Sequence, residues 1–597
     1  MKNPKISQED LPDSNRRQSL LAIGFFIVFA FILYGNTIQN NYSLDDDYVT
    51  FSDPTVRKGI KAIPEIFTSL YANVYDAGEA IKFGYRPIVK STFAIEHELW
   101  GANPHLSHLI NILLYALTCI LLFILLRRLF KNYHIVFPLI VTTLFMAHPI
   151  HTEVVSSLKN RDELLSFMFN IISLICFIKY TDKHKIIYIV AGLFSFLLAY
   201  LSKLTALSFI AIIPLVLYFF TNTSYRKIIF IVLAVIVIFL IARIIPKFYL
   251  PDPSRTKLFI ENPLIFNNNI WVRTATGFYI LLLYLKLLIY PHPLLFYYGY
   301  NMIPITNWAN IWSIISFVIY LLIFIYAIKM VRKKHILAFG ILYYLITISL
   351  YSNMVKPPTG IIGERFLLAP SLGFCVVITY LIFRMLKKQA QTPNIELKQS
   401  IWIVLISLFL LIPYTAKTII RNRDWKDHKT LLSHDIKYLE NSAKANFIYA
   451  GVLRNEILTK GKNNQHTSEI MKMQNLAIKH FKDAVDVYPD YYEALNKLGF
   501  LYYTVYQDPL SAISYLKRAI KANPDYKSPY YNLAFIYKSS QNYNEAIINY
   551  QKVLEIDPGH LLSINGMVEI YHTIGDIANA NYYRDVARKI NSSANTN

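Results

Sequence analysis

Residues 524–558, PDYKSPYYNLAFIYKSSQNYNEAIINYQKVLEIDP, are one unit of a repeat that decides the fold of the last third of the chain. Units start at Tyr488-Pro489-Asp490, Asn523-Pro524-Asp525 and Asp557-Pro558-Gly559, so prolines recur every 34 or 35 residues. Small and aromatic residues recur in register within the units: Leu498, Gly499, Tyr502, Ala512 and Ala519, then Leu533, Ala534, Tyr537, Ala546 and Val553. This pattern predicts helix–turn–helix units that bury their apolar faces only by stacking on one another.

A period of this length is typical of tetratricopeptide repeats, which stack into a superhelix with a concave groove. A more degenerate unit, from about Ala445 to Val487, is expected to cap the array on its membrane side. The groove is expected to bind a protein or peptide. A general protein-binding scaffold is the alternative interpretation of any such array.

The first two thirds of the chain are a succession of apolar runs. Of all residues, 54% are hydrophobic and only 16% are charged, which is too apolar for one soluble domain. Because a spanning helix needs about 20 mostly apolar residues, each run is a candidate to cross a bilayer. The candidate runs are 20–39, 106–126, 135–150, 163–180, 186–201, 204–220, 226–245, 272–290, 310–330, 336–352, 365–386 and 400–416. The sequence therefore predicts an all-α protein, with a polytopic membrane domain followed by a soluble repeat domain.

The basic residues in short loops predict the topology, since Lys and Arg favour the cytoplasmic side. The clusters predicted inside are Arg16–Arg17, Arg127–Arg128, Lys179 to Lys185, Arg226–Lys227, Arg332 to Lys334 and Arg384 to Lys388. The predicted domains are a cytoplasmic tail (1–19), the membrane domain (20–416) with an outer loop (40–105), a linker (417–444) and an extracytoplasmic repeat domain (445–597). The fourth and fifth clusters are both predicted to be cytoplasmic, so two or four helices should cross the membrane between them. The sequence, however, has three apolar runs there. One of them, with 272–290 as the candidate, is therefore expected to be re-entrant, lateral or split.

The net charge of +22 lies largely in these clusters and not in a soluble patch, so we do not expect nucleic acid as a partner. The three cysteines, Cys119, Cys176 and Cys375, all lie in apolar runs and form no CxxC pair. They are expected to act as small core residues.

Three adjacent carboxylates, Asp45, Asp46 and Asp47, follow directly after the first apolar run. Neighbouring side chains point in different directions on either a strand or a helix, so only one or two can face a single site. A solvated turn or a calcium-binding loop would explain the run. The functional alternative is that one Asp acts as a general base on an acceptor hydroxyl while its neighbour holds it.

Other ionisable residues occur at the predicted outer edge of the membrane or near apolar runs, where such groups mark functional sites. They are Arg86, His97, His108, His148, His151, Glu153, Arg161, Lys203, Glu364 and Arg365. His148, His151 and Glu153 could ligate a metal, but Pro149 interrupts a regular helix across them. These residues are therefore expected to serve as hydrogen-bond donors and pocket walls, and no metal ligand is assigned. Groups of both signs on separate loops would suit a substrate with a lipid tail and a phosphate.

Read in order, these segments resemble the membrane-embedded GT-C glycosyltransferases, and among them the transmembrane and tetratricopeptide-repeat protein O-mannosyltransferases. The motifs that carry the resemblance are Asp45-Asp46, Tyr85-Arg86-Pro87, Leu99-Trp100-Gly101 through Asn103-Pro104 to His108-Leu109-Ile110-Asn111, His148-Pro149-Ile150-His151-Thr152-Glu153, Arg161-Asp162, Leu201-Ser202-Lys203, Glu364-Arg365-Phe366 and Pro370-Ser371-Leu372-Gly373. The repeats complete the architecture. Two departures from the family pattern are Leu204, where relatives show Glu, and the third carboxylate, Asp47.

The resemblance implies a sugar, mannose or similar, carried on a polyprenyl phosphate and transferred to a protein hydroxyl. It places the catalytic carboxylate at Asp45 or Asp46, and it implies that the other ionisable residues named above bind the donor phosphate, the sugar or the acceptor. The leaving phosphate needs no acid, whereas the acceptor hydroxyl needs a base. One base that acts in a single displacement would invert the anomeric centre. No cofactor is required, and a divalent metal is not expected. The alternatives are transfer to a glycan or lipid by the same fold, and a non-catalytic membrane scaffold. The Lys-, Asn- and Ile-rich composition favours a bacterial inner membrane, with the site and the repeats on the periplasmic side.

Overall fold

The computed structural model describes residues 13–76, 79–250, 257–386, 397–462 and 467–594. Residues 1–12 of the predicted cytoplasmic tail, and Lys387 and Lys388 of the last basic cluster, lie outside the described residues. The chain divides into two compact units. The first comprises Met1–Tyr298 and Ile303–His434, and the second comprises Gly299–Met302 and Asp435–Asn597.

The first unit is built from helices of two kinds, long apolar ones and short ones in the predicted outer loops. Its first half contains α1 (Asp13–Tyr34), α2 (Asp46–Val49), α3 (Pro54–Arg57), α4 (Ile63–Ile66), the strands β1 (Ala72–Asp76) and β2 (Glu79–Phe83), α5 (Pro87–Trp100), α6 (Pro104–Leu129), α7 (Val136–Ala147), α8 (Thr152–Ser156) and α9 (Arg161–Lys183). Its second half contains α10 (Ile186–Ser202), α11 (Phe209–Phe220), α12 (Tyr225–Ile244), α13 (Ile270–Ile289), α14 (Ile311–Val331), α15 (Ile336–Ser349), α16 (Leu368–Met385), α17 (Leu397–Asp424) and α18 (His428–Asp435).

Each of the twelve predicted apolar runs coincides with a helix. Among the described residues, eight helices are long and apolar enough to cross a membrane, and four shorter apolar helices correspond to α7, α10, α11 and α15. Local sequence sets their ends. Helix α6, for example, starts at Pro104 behind Asn103, whose side chain accepts a hydrogen bond from the Leu106 amide (3.2 Å), and ends after Arg127 and Arg128. The prediction of an all-α, polytopic membrane protein is confirmed.

Helix α13 explains the uneven count of runs in the predicted topology. Near its start, the Arg273 guanidinium donates to the carbonyl oxygen of Val355. Near its end, the imidazole Nε2 of His148 donates to the carbonyl oxygen of Leu288 (2.9 Å). Val355 and His148 both lie in loops that the basic residues place outside. Both ends of α13 thus face the same predicted side, which favours a re-entrant or lateral helix over a crossing one.

The first outer loop folds into α2 to α5 and a hairpin in which β1 and β2 pair antiparallel. A buried ion pair between Lys90 and Asp53 (2.9 Å) lies at its centre. Lys90 also donates to the carbonyl oxygen of Leu70 (2.9 Å), and Asp53 caps α3 by accepting from the Thr55 amide (2.8 Å). Because a buried charge without its partner is strongly destabilising, this pair fixes the loop as a folded layer.

The second unit is a row of helix pairs. They are α19 (Ala443–Lys462) with α20 (Thr467–Val487), α21 (Tyr492–Val505) with α22 (Pro509–Ala522), α23 (Lys527–Ser539) with α24 (Tyr543–Ile556), and α25 (Leu561–Thr573) with α26 (Ile577–Ala594). Gly499 shows why small residues recur. A Cβ atom there would lie 2.9 Å from Leu516 Cγ and 3.0 Å from the carbonyl oxygen of Ala512. The segment 417–444, predicted as a linker, is largely helical because α17 continues to Asp424 and α18 follows.

Candidate active site

The three adjacent carboxylates form a tight turn at the start of α2, and each faces a different environment. Asp46 donates its backbone amide to the carbonyl oxygen of Ser43 (3.1 Å), and Leu44 takes a left-handed conformation with φ of 49°. Asp45 forms an ion pair with Lys159, Asp46 points inward, and Asp47 lies 3.3 Å from His428 Nε2. The prediction that three neighbouring carboxylates cannot share one site agrees with this geometry.

Asp46 is fully buried and accepts hydrogen bonds on both carboxylate oxygens. Oδ2 accepts from the amide (3.0 Å) and hydroxyl (3.2 Å) of Ser43, and Oδ1 accepts from the Ser157 hydroxyl (3.1 Å) and the Lys159 amide (2.8 Å). Burial raises the pKa of Asp46 to about 6, against the hydrogen bonds from Lys159, Ser43 and Ser157, which lower it. Asp46 therefore ties the outer loop to the segment before α9.

Charged side chains from three separate stretches of the first unit meet at the start of α9. Arg86 pairs with Asp162, and the Lys203 ammonium lies 2.9 Å from both Asp162 and Glu163. The sequence supplies these carboxylates as neighbours at the first turn of α9, where negative charge also favours the helix N-terminus. The result is one continuous network, Arg86–Asp162–Lys203–Glu163.

Arg365 joins the same region from the loop before α16. Its guanidinium pairs with Glu153, and its backbone amide donates to the same carboxylate (2.7 Å). Arg365 and Glu163 also line one cavity of about 20 Å³, together with Thr205, Thr347 and Tyr351. Arg86 and Lys203 share the Asp162 carboxylate, and Arg365 lines a cavity with Glu163, the second carboxylate of Lys203, so the three cations lie around one centre.

Exposure differs between the two signs of charge in this centre. The side chains of Asp162, Glu153 and Glu163 are 0%, 3% and 6% exposed. Their outer neighbours keep more access to solvent: Arg86 is 20% exposed, Arg365 25%, Lys159 22% and Asp45 40%. The accessible groups are thus three cations and one carboxylate. Buried carboxylates hold Arg86 and Arg365, whereas Lys159 pairs with the exposed Asp45. In the following text, "charged centre" means Asp45, Arg86, Glu153, Lys159, Asp162, Glu163, Lys203 and Arg365.

Arg161, predicted to bind substrate, is fully buried, and the protein engages all of its guanidinium nitrogens. Nε donates to Asn111 Oδ1 (2.7 Å), Nη1 donates to Glu96 and Thr92 Oγ1 (3.0 Å), and Nη2 donates to the Ser107 carbonyl oxygen (3.1 Å). These contacts join α5, α6 and α9. They indicate a structural role for Arg161, outside the charged centre.

The predicted histidines and Glu364 also lie outside the charged centre. His151 is buried between the Tyr115 hydroxyl (2.8 Å) and the Ser371 hydroxyl (3.0 Å), and His108 Nε2 lies 3.3 Å from the Asn41 carbonyl oxygen. His148 contacts Leu288, as described above. Glu364 is buried and accepts from the Leu295 amide and the Tyr298 hydroxyl (2.9 Å), whereas His97 is partly exposed near the end of α5.

No group of three or more His, Cys, Asp or Glu side chains with a geometry that could hold a metal ion occurs in the part of the chain that the structure describes. The charged centre combines partly exposed cations, groups of a kind that can pair with a phosphate, with one accessible carboxylate.

The sequence reasoning missed Lys159, Asp162, Glu163 and His428 as members of this region. The stretch Lys159-Asn160-Arg161-Asp162-Glu163 carried a signal, because four charges directly before an apolar run are unusual. From this stretch, the sequence alone selected only Arg161. His428 gave no signal, since it lies far along the chain in a polar segment.

Comparisons with known proteins agree with both units. Residues 529–560 match the family model of the tetratricopeptide repeat. The chain is 24% identical over 522 residues to the human Protein O-mannosyl-transferase TMTC1, covering 79% of this chain and 55% of that protein. It is 25% identical over 454 residues to the Caenorhabditis elegans Protein O-mannosyl-transferase F38B6.6, covering 75% and 62%.

The mouse Protein O-mannosyl-transferase TMTC3 is 25% identical over 444 residues, covering 68% of this chain and 44% of that one. The chain thus spans between 44% and 62% of the length of these three relatives. Among solved structures, the crystal structure of MamA has a TM-score of 0.24 at 22% identity and covers 28% of this chain and 88% of that one, a likeness too weak to carry a conclusion. The similarity along most of the chain confirms the resemblance to the transmembrane and tetratricopeptide-repeat protein O-mannosyltransferases that the order of motifs indicated.

Proposed function

We propose that this protein transfers a sugar, mannose or similar, from a polyprenyl-phosphate-linked donor to a hydroxyl of a protein acceptor. The observation that carries the proposal is the charged centre, in which the accessible carboxylate of Asp45 pairs with Lys159, three residues before the Asp162 that pairs with Arg86. A transferase of this kind needs both elements, one for the hydroxyl proton and one for the phosphate. The names of the relatives support O-mannosyl transfer as the reaction class.

Asp45 is the general base in this proposal. It is the most exposed carboxylate of the turn, whereas Asp46 is fully buried and uses both oxygens to hold the loop. During attack, the acceptor hydroxyl gives its proton to Asp45, and its oxygen forms a bond to the anomeric carbon. The bond from that carbon to the phosphate oxygen breaks, and polyprenyl phosphate leaves with the electron pair. One displacement inverts the anomeric centre.

Arg86 and Arg365 are the donor-phosphate ligands in this proposal, with Lys203 behind them. Their guanidinium groups keep some access to solvent while their carboxylate partners are buried. Charge-assisted hydrogen bonds from arginine to phosphate are short, strong and often bidentate, so two arginines can stabilise the leaving group. The departure at Leu204 leaves this network without the acidic group of the relatives. In this chain, Asp162 and Glu163 both pair with Lys203 (2.9 Å each).

The lipid part of the donor would fit an apolar cavity next to the charged one. This cavity measures about 320 Å³ and is lined by Phe278, Phe317, Phe324, Ile348 and Ser349, among others. Helix α15 separates the two cavities, with Thr347 on the charged side and Ile348 on the apolar side. A donor with a charged head and an apolar tail would thus find both environments on one helix.

The acceptor is proposed to be a protein or peptide recruited by the repeat groove, and the reaction side is proposed to be the periplasmic face of a bacterial inner membrane. A glycan or lipid acceptor is the alternative within the same fold. The charged centre speaks against a non-catalytic scaffold, since a scaffold does not need accessible ionised groups beside a membrane.

The proposal is tested by comparing glycoproteins of a deletion strain with those of the wild type, followed by transfer in membranes supplied with polyprenyl-phosphate mannose and a candidate peptide. The expected result is loss of hexose-modified Ser or Thr peptides in the deletion strain, and a product in vitro whose anomeric configuration is opposite to that of the donor. Unchanged glycopeptides together with a new glycan or glycolipid would establish the alternative acceptor. A product with retained configuration would contradict the single displacement.

A further inference from the structure

We infer that His428 is a positioning residue that fixes the turn presenting Asp45. The inference rests on the proposed function, because it assigns the base to Asp45. His428 is the first residue of α18 and lies 384 residues after Leu44 in the chain, yet its ring contacts the turn directly.

The ring makes two contacts with the turn, and they define its tautomer. The Leu44 amide lies 2.9 Å from Nδ1, and Asp47 Oδ2 lies 3.3 Å from Nε2. Because a backbone amide can only donate, Nδ1 must accept and carries no proton. The ring proton is then on Nε2, where it points to the Asp47 carboxylate. A neutral imidazole thus bridges the residue before Asp45 and the second residue after it.

The Leu44 contact is the more important one, because Leu44 has the unusual backbone conformation. A φ of 49° is rare for a leucine and persists only where surrounding contacts impose it. The acceptor at Nδ1 is one such contact. Without it, Leu44 would relax toward an extended conformation, and the next residue, Asp45, would change direction.

The segment that carries His428 is itself fixed against the first outer loop. The Asn41 amide donates to the Lys426 carbonyl oxygen (2.8 Å), and Asn40 Nδ2 donates to the Asn422 carbonyl oxygen (3.2 Å). Asn422 Nδ2 in turn donates to the Leu33 carbonyl oxygen (2.7 Å). His428 is therefore held in place by contacts on the preceding residues and can act as a rigid acceptor for Leu44.

Three substitutions separate the two contacts of the ring. His428→Asn keeps an acceptor atom next to Cγ, near the place of Nδ1, and loses the contact with Asp47. His428→Gln reaches toward Asp47 with its amide but offers no acceptor at the place of Nδ1. His428→Ala removes both contacts. His105→Ala is the matched control, because it removes a histidine contact of the same outer loop, from Nδ1 to the Ile38 carbonyl oxygen (2.8 Å), outside the turn.

The experiment measures kcat and the donor KM for full-length protein in membranes, together with deuterium uptake by the peptide spanning residues 42–49. His428→Ala and His428→Gln should lower kcat about 10- to 100-fold with little change in donor KM, since a misplacement of about 1 Å costs up to 10²-fold. The same two variants should exchange faster in this peptide. His428→Asn should restore most of the kcat and the slow exchange, and His105→Ala should match the wild type in both.

The outcomes are read against Asp45→Asn in the same assay. Full turnover of His428→Ala when Asp45→Asn is inactive overturns the role of His428 and leaves the proposed function intact. Rescue by Gln instead of Asn, or equal losses in all three variants, also overturns it. Full turnover of Asp45→Asn, or no transfer by the wild type, removes the proposed base or function. In that case the exchange data alone decide whether His428 fixes the turn, and unchanged exchange in His428→Ala overturns the inference.

Discussion

The charged centre of the first unit and the helical array of the second are held together over very different distances in the chain. In the array, Asn532 donates to Asn496, 36 residues away, and Lys527 pairs with Asp557, 30 residues away. In the first unit, Arg86 and Asp162 are 76 residues apart, Arg365 and Glu153 are 212 apart, and Leu44 and His428 are 384 apart. The array is therefore a sum of neighbouring contacts, whereas the centre exists only when the whole first unit is folded.

This difference separates two kinds of contribution to function. A repeat unit depends on the pair beside it, so changes in the array should act on acceptor binding gradually. The charged centre concentrates paired charges in a small volume, where each side chain has one or two specific partners. Substitutions there should have large effects that depend on the side chain. The predictions below test this contrast.

The largest effect is expected from Asp45→Asn. Loss of a positioned general base costs about 10²–10⁴-fold in rate, while Asn keeps the size of the side chain. The measurement is the initial rate of sugar transfer in membranes that contain equal amounts of each protein. Glu65→Gln is the matched control, because Glu65 is also a partly exposed carboxylate of the outer loop paired with a lysine, Lys58 (2.8 Å). Equal losses in both variants would contradict the assignment of the base.

The second effect concerns stability, and it uses the raised pKa of Asp46. Because the folded pKa of about 6 lies above the ordinary value of 3.8 for an Asp carboxyl, the folded state binds this proton more tightly than the unfolded one. Proton binding by Asp46 thus contributes roughly 3 kcal/mol to the free energy of unfolding below pH 4. This contribution is lost as the pH rises to about 6.

Asp46→Asn removes this titration, so thermal unfolding of wild type and variant should be compared between pH 4 and 7. The wild type should lose stability relative to the variant as pH rises through this range. A difference that does not change with pH would show that Asp46 is not held in a buried, proton-binding environment.

The contrast between the two units also explains what the sequence could predict. The array was predictable because Pro489, Pro524 and Pro558 repeat a local pattern, and each unit carries its own packing residues. The apolar helices were predictable because length and composition alone set them. For the candidate site, the sequence selected Asp45, Arg86, Glu153, Lys203 and Arg365 of the charged centre, because their residue types suit phosphate binding or proton transfer.

Local pattern could not show which ionisable residues face each other. Arg161 and Arg86 look alike in the sequence, yet Arg161 is saturated by Glu96, Asn111 and neighbouring groups while Arg86 stays partly exposed. The separate environments of Asp45 and Asp46 arise from Lys159 and Ser157, more than a hundred residues away. Such differences depend on tertiary contacts, which a single sequence does not contain.

A smaller effect is expected from Arg86→Gln, which removes one of the two proposed phosphate ligands but leaves Lys203 to pair with Asp162. Hydrogen bonds to charged groups contribute about 1.5–3 kcal/mol, so the donor KM should rise by about 10- to 100-fold. The control is Arg128→Gln, because Nη2 of Arg128 donates to both carboxylate oxygens of Asp182 (2.6 and 2.7 Å). This pair lies at the C-terminal ends of α6 and α9, away from the charged centre at the start of α9. A donor KM that rises equally in both variants would indicate a general loss of membrane-domain integrity.

The smallest effect on chemistry is expected from deleting α19 to α26, residues 443–597. A groove that binds the acceptor near the membrane raises its effective concentration to about millimolar for short tethers. The deletion should therefore raise the KM for a long or folded protein acceptor, on the order of tenfold, and leave kcat for a short peptide nearly unchanged. Both acceptors are measured on the same preparation, so that the short peptide reports the amount of intact charged centre. Equal losses on the two acceptors would mean that the array supports the fold of the first unit, because a contribution limited to acceptor capture cannot lower turnover of a substrate too short to bind the groove.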